Sequence, residues 1–86
     1  MILTLTNAPT VLEHELFQQL LTPEDILMVT DRALMLSIRQ NPYPAKGYLL
    51  LEDSHSLGGA QHDDWQTLST NDWVSLVTEH DKQITW

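Results

Sequence analysis

With 86 residues, the chain has room for one domain, residues 1–86, and a domain of this size buries only roughly 60–65% of the surface that its unfolded chain exposes. Such small chains are usually secured by disulfides, a metal or a partner, and the absence of cysteine removes disulfides together with thiolate nucleophiles, persulfide carriers and Cys-type zinc sites. Twelve acidic against four basic residues give a net charge of −8; with Arg32, Arg39, Lys46 and Lys82 scattered along the chain, the charge balance speaks against direct nucleic-acid binding, which draws its affinity from Lys and Arg contacts to phosphate.

The opening Met1-Ile2-Leu3-Thr4-Leu5-Thr6 reads as a first strand. It has neither the basic n-region nor the long apolar h-region of a secretory leader, and no apolar run approaches the ~20 residues of a membrane span, so a soluble, cytoplasmic protein is expected. Thr10-Val11-Leu12-Glu13 has the T-x-x-E spacing of a capping box, in which each end of the motif satisfies an orphan amide of the other. The helix that follows carries Leu12, Leu16, Phe17, Leu20 and Leu21 on one stripe, with Glu13, Glu15, Gln18 and Gln19 off it, the pattern of a helix laid on a core. Thr22-Pro23-Glu24 breaks it. Ile26-Leu27-Met28-Val29 is a continuous apolar run too short for a globular helix, the mark of a strand covered on both faces.

Thr30-Asp31 can cap a short helix from Arg32 to about Gln40, although Ala33 to Ile38 also passes as a strand. Asn41-Pro42-Tyr43-Pro44 is a break, since each proline removes an amide donor and restricts the residue before it. Gly47 to Glu52, around Tyr48-Leu49-Leu50-Leu51, reads as a further buried strand, with one turn of helix before Gly58-Gly59. Trp65-Gln66-Thr67-Leu68 is a short strand; Ser69 or Thr70 then caps a helix with Asp72 in its first turn and Trp73, Leu76 and Val77 along one face. Ile84-Thr85-Trp86 closes the chain as a last short strand. The alternation predicts an α/β domain, a small three-layer unit with a mainly parallel sheet of four to five strands.

Familiar chemistry finds few footholds. The turn after the first strand, Asn7-Ala8-Pro9, has no glycine, and Pro9 has no amide to offer a phosphate. Ser54-His55-Ser56 sets a histidine between two hydroxyls, but sequence neighbours rarely meet as nucleophile and base. His55, His62, Asp63 and Asp64 leave a metal-binding loop open as the alternative function, although the spacing matches no compact ligand pair; a solvated loop is the simpler reading, and no metal, cofactor or catalytic residue is assigned. Glu52 and Asp53 follow a strand end, where sheets of this class place their sites. The aromatic residues say more. Trp65, Trp73 and Trp86 fall in the last 22 positions, and tryptophan is favoured at interface hot spots. These three and Tyr48 are the candidate partner-interface residues, with core packing the other reading of Trp73 on its helical stripe; a terminal side chain frays unless something holds it, so Trp86 either docks on its own domain or plugs a partner.

Three stretches resemble the TusB/DsrH family: the opening Met1 to Pro9, the middle Leu21 to Val29 and the closing Thr70 to Trp86, with its Asp72-Trp73 pair, apolar helix, His80 stop and final Trp86. Together they cover about half of the chain; Asn41 to Leu68 matches only in pattern and is shorter than in the family. The resemblance implies a DsrEFH-like fold and a place beside TusC-like and TusD-like subunits in a heterohexamer. That complex passes persulfide sulfur from a TusA-like donor towards a TusE-like acceptor and finally to the 2-thio group of the tRNA wobble uridine. The resemblance puts the catalytic cysteine on the TusD-like subunit, so this chain is expected to be an accessory subunit and not an enzyme. A stand-alone homo-oligomer of the same fold remains a further alternative.

Overall fold

In the computed structural model, which describes residues 1–86, five strands and four helical segments alternate: β1 (Ile2–Leu5), α1 (Val11–Leu20), β2 (Ile26–Val29), a 3-10 helix (Asp31–Ile38), β3 (Lys46–Leu50), α2 (Leu51–Ser56), β4 (Trp65–Leu68), α3 (Thr70–Glu79) and β5 (Gln83–Thr85). All pairings are parallel and the sheet order is β4-β3-β2-β1-β5. From β1 the chain steps outward to β2, β3 and β4, then returns across the whole sheet to lay β5 against β1. Right-handed crossovers therefore put α1, the 3-10 helix and α2 on one face and α3 alone on the other. The expected three-layer α/β domain with a parallel sheet is what the chain forms.

The local signals explain most of the boundaries. Thr10 Oγ1 accepts from the Glu13 amide at 3.2 Å and Glu13 Oε1 from the Thr10 amide at 2.8 Å, so the capping box is complete. Ser69, rather than Thr70, caps α3, accepting from the Asp72 amide at 3.1 Å. The strand expected over Gly47 to Glu52 stops at Leu50, and α2 begins at Leu51 without a loop. The segment after β2 takes the helical of the two forms expected, wound as a tight 3-10 helix over Asp31–Ile38. Ser37 Oγ donates to Leu34 O at 2.7 Å and the Arg39 amide to Leu36 O at 3.2 Å, bonds three residues apart that hold the narrower winding. Asp31 enters it at φ 51°, a left-handed conformation that aspartate tolerates better than most residues.

The larger core lies between the sheet and its three-helix face: Leu3, Leu5, Leu27, Val29, Leu49 and Trp65 from the strands meet Phe17, Leu21 and Ala33. Parallel register puts these strand residues on one side, with Leu3 beside Leu27, Leu27 beside Gly47 and Gly47 beside Trp65. Ile2, Ile26 and Met28 point the other way and are also buried, as a parallel sheet requires.

The stripe on α1 is corrected by the structure. Phe17 and Leu21 are buried, but Leu12 is 78% exposed, Leu16 46% and Leu20 49%. The helix presents only a narrow edge to the sheet because two aromatic residues from elsewhere fill the spaces beside Phe17. Tyr43 packs edge-on at 6.1 Å and Trp86 at 5.4 Å between ring centroids. Tyr43 and Ala45 make the proline break part of the core. Asn41 shapes that loop, accepting from the Tyr43 amide at 3.0 Å and donating to Ala45 O at 2.8 Å, an Asx-type turn.

Gly47 is held without side-chain space: a Cβ there would stand 2.6 Å from Trp65 Cε3, 2.8 Å from Trp65 Cζ3 and 3.0 Å from Asn41 Nδ2. Gly47→Ala is expected to destabilise the domain by about 1–3 kcal/mol through overpacking, lowering Tm by roughly 4–8 °C per kcal/mol. A melting curve matching the native one would show that the Trp65 ring can yield.

Candidate functional site

Open parallel sheets place their chemistry beyond the carboxyl ends of the strands, at the point where the strand order reverses. Here that point lies between β1, which feeds α1 on one face, and β5, which arrives from α3 on the other. The chain's own Trp86 fills it. The Trp86 amide donates to Thr4 O at 2.7 Å, while Trp86 O accepts from the Thr6 amide at 3.0 Å and from Thr6 Oγ1 at 2.9 Å. The β1–β5 ladder thus continues one residue past β5. The indole Nε1 donates to Glu13 Oε2, and the ring stands at 89° to Phe17, an edge-to-face arrangement favoured by the ring quadrupoles. Glu13 thereby serves two elements, its other oxygen closing the α1 cap. The backbone amide of Thr10 and the indole of Trp86 hold its carboxyl below the ordinary value of 4.5.

The remaining strand ends carry hydroxyls and carboxylates. After β2 come Thr30, Asp31 and Arg32, and after β3 come Glu52 and Asp53. Thr30 Oγ1 donates to Asp53 Oδ2 at 3.3 Å, which ties the two ends together. This edge holds a strained Asp31 and acidic side chains, and supplies neither a thiol nor a histidine base.

The four interface candidates do not gather in one place. Trp65 is 2% exposed, with its Nε1 donating to Arg39 O at 2.8 Å; it is a core residue with no surface to lend, which corrects its assignment. Trp73 is half-buried on α3, on the opposite face of the sheet from α1. Tyr48, also half-buried, borders an open cavity of about 350 Å³ with Asn41, Lys46, Asp64 and Gln66. Trp86 is held on its own domain, yet leaves 45% of its surface outside.

The histidines are dispersed. His62 Nδ1 accepts from the Asp64 amide at 3.1 Å, and Asp64 Oδ2 accepts from the Asn41 amide at 3.0 Å. These bonds shape the loop before β4, and no group of three or more His, Asp or Glu side chains converges as a metal site. His14 Nδ1 lies 2.9 Å from Tyr43 Oη. Burial first, and the nearby Glu13 charge second, push the Tyr43 phenol above its usual range.

Sequence reasoning missed two contributors. Glu13 was accounted for by its cap, and nothing local signals a contact to a residue 73 positions away. Tyr43 was hidden in a proline break; the Asn-Pro turn before it was the available signal.

No protein-family model and no curated protein matches the chain. Among solved structures it resembles the solution NMR structure of protein Tm0979 from Thermotoga maritima, with a TM-score of 0.62, 17% identity, and coverage of 95% of this chain and 97% of that one. At this identity the likeness establishes a shared fold across nearly the full length of both chains. No helix is long and apolar enough to cross a membrane.

Two outcomes follow from this geometry. Because the Glu13 carboxyl titrates lower in the folded chain than in the unfolded one, its charge stabilises the fold fully above the ordinary value of 4.5 and ceases to do so as pH falls through the lowered value. The Tm gap between the native chain and Glu13→Gln, which keeps an acceptor for the Thr10 amide, is therefore expected to be widest near neutrality and to close in acid; a gap independent of pH would show that the charge is not what holds Trp86. Zinc at millimolar concentration is expected to leave Tm unchanged, whereas a folded-state metal site would raise it.

Proposed function

We propose that this chain is a non-catalytic subunit of a TusBCD-like heterohexamer, lending surface to TusC-like and TusD-like partners. Those partners move persulfide sulfur from a TusA-like donor towards a TusE-like acceptor and the 2-thiouridine of the tRNA wobble position. The observation that carries the reading is the state of the sheet's carboxyl edge. In a fold whose chemistry belongs at that edge, Trp86 fills the switch point, and the neighbouring strand ends bear no group able to carry sulfur.

Three further features support it. The resemblance of the two ends and the middle of the sequence to the TusB/DsrH family motivates the choice of complex. The core is small, with 17 of 86 residues buried, so added contact area would have a large relative effect on stability. Large apolar side chains stay on the surface, among them Val11, Leu12, Met35 and Val74. The net charge of −8 is consistent with a role at the protein level of the relay, away from the tRNA itself.

Co-expression with the TusC-like and TusD-like proteins of the same genome is expected to yield one stoichiometric complex. Deleting the gene should lower the 2-thiouridine content of the host's tRNA, measured by mass spectrometry of nucleosides, and a plasmid copy should restore it. A chain that purifies apart from both proteins, with unchanged 2-thiouridine in the deletion strain, would overturn the proposal.

A further inference from the structure

The unpartnered side chains of α1 are grouped. Leu12, Leu16 and Leu20 are four residues apart and form one row along the helix. Glu13 and Phe17, which contact Trp86, fix the flank on which that row lies, because Leu16 and Leu20 follow Glu13 by three and seven positions. The opposite flank carries His14 and Gln18, which bond to Tyr43 and to Pro42 O. The leucine row therefore lies on the flank of α1 that faces Trp86, on the side of β5, the three-residue edge strand of the sheet. The result is one apolar strip bounded by a free strand edge.

Charge selects its occupant. The elements around the strip carry Glu13 and Glu15 on α1, Glu79 at the end of α3 and Asp81 before β5, against Lys82, while the Met1 ammonium nearby is already paired with Asp25 at 3.0 Å. Arg32 stands at the carboxyl end of β1, its amide donating to Thr6 O at 3.0 Å, and so adds one cation at the Trp86 end of the strip; Arg39 and Lys46 belong to the residue after the 3-10 helix and to β3, towards the other edge of the sheet. A second copy meeting this face about a two-fold axis would bring the same acidic rim against itself, which costs free energy instead of adding it.

We infer that the Leu12-Leu16-Leu20 row, with Trp86 and the β5 edge, is the docking surface for a different protein chain, one whose contact face has an apolar centre and a Lys- or Arg-bearing rim. The inference rests on the subunit reading above and names the face that this chain would use in it. Leu16 and Trp86 form the centre of the contact, and Glu15 contributes to the rim.

The test uses the purified chain with the purified TusC-like and TusD-like proteins, read by analytical gel filtration and calorimetry. Leu16 is half-exposed, so Leu16→Glu should keep the native circular dichroism with at most a small loss of Tm, while its affinity for the partners falls by at least about tenfold, as for a hot-spot residue. Glu15→Lys should weaken binding less and reduce its dependence on salt. Met35→Glu, on the 3-10 helix, should bind as the native chain does. Native binding that survives Leu16→Glu unchanged would overturn the assigned surface and leave the complex standing. No binding of the native chain would overturn the complex and this surface with it. A native chain that dimerises alone, and becomes monomeric with Leu16→Glu, would show the occupant to be a second copy and overturn the inference.

Discussion

A parallel sheet must be covered on both faces, and this chain has very little with which to do it. Each crossover costs a helix, and the path β1-β2-β3-β4 spends three of the four helical segments on one face. Only α3 is left for the other. The consequences are visible residue by residue. On the three-helix side Leu3, Leu5, Leu27, Val29 and Leu49 are all but inaccessible. On the α3 side Ile2 and Met28 are buried beneath the middle of the sheet, but Tyr48 is half-exposed and Gln66, next along the same row, is exposed. The helix itself contributes no fully buried residue. Since apolar burial stabilises by roughly 25 cal/mol per Å², much of the domain's hydrophobic free energy comes from one side of the sheet.

The single return crossover makes β5 the element on which closure depends. Three residues of parallel ladder form a weak strand on their own, and the surrounding contacts compensate for its length. Backbone pairing continues through Trp86, Thr6 adds its hydroxyl, and Glu13 fastens the indole over Phe17. The chain's last residue is thereby joined to its first helix. Because Glu13 is also half of the α1 capping box, the start of α1 and the edge of the sheet share one carboxylate, and disturbing either loosens both.

The strands, α1 and α3 were legible because their signals are local, whereas the order of the strands in the sheet was not. Ile26 to Val29 has no polar residue and can only be a doubly covered strand, and Thr10 with Glu13 is a cap whatever surrounds it. The 3-10 segment was ambiguous because Ala33 to Ile38 suits two periods; the winding that won depends on a hydroxyl bond from Ser37 and on the fit of Ala33 under the sheet. What the sequence could not express was competition for space. The leucines of α1 have the spacing of a core stripe, yet Tyr43 and Trp86, distant in the chain, take the places beside Phe17 and leave Leu12, Leu16 and Leu20 outside. The same blindness made Trp65 look like an interface residue: nothing local reveals that Gly47, one strand away, leaves the hollow its indole occupies. Of the candidate site, the lack of a thiol was legible from composition, whereas the plugging of the switch point required the fold.

A partner on the proposed surface would tie assembly to folding. The apolar strip on α1 borders β5, and β5 is the strand with the least pairing of its own. A ligand that binds only the closed form raises its stability by RT ln(1 + [L]/Kd), about 2.7 kcal/mol at a hundredfold excess over Kd, a sizeable addition for a domain whose total is expected to be small. A protein seated on Leu16 and Trp86 would press the strand onto β1 as it bound, so that closure of the sheet and docking would be one equilibrium. Fraying would begin at this edge in the free chain and would be suppressed there first in a complex, while the β2–β3 centre, already enclosed, would gain little. Amide exchange confined to β5 and the start of α1, slowing on assembly, is the signature such coupling leaves.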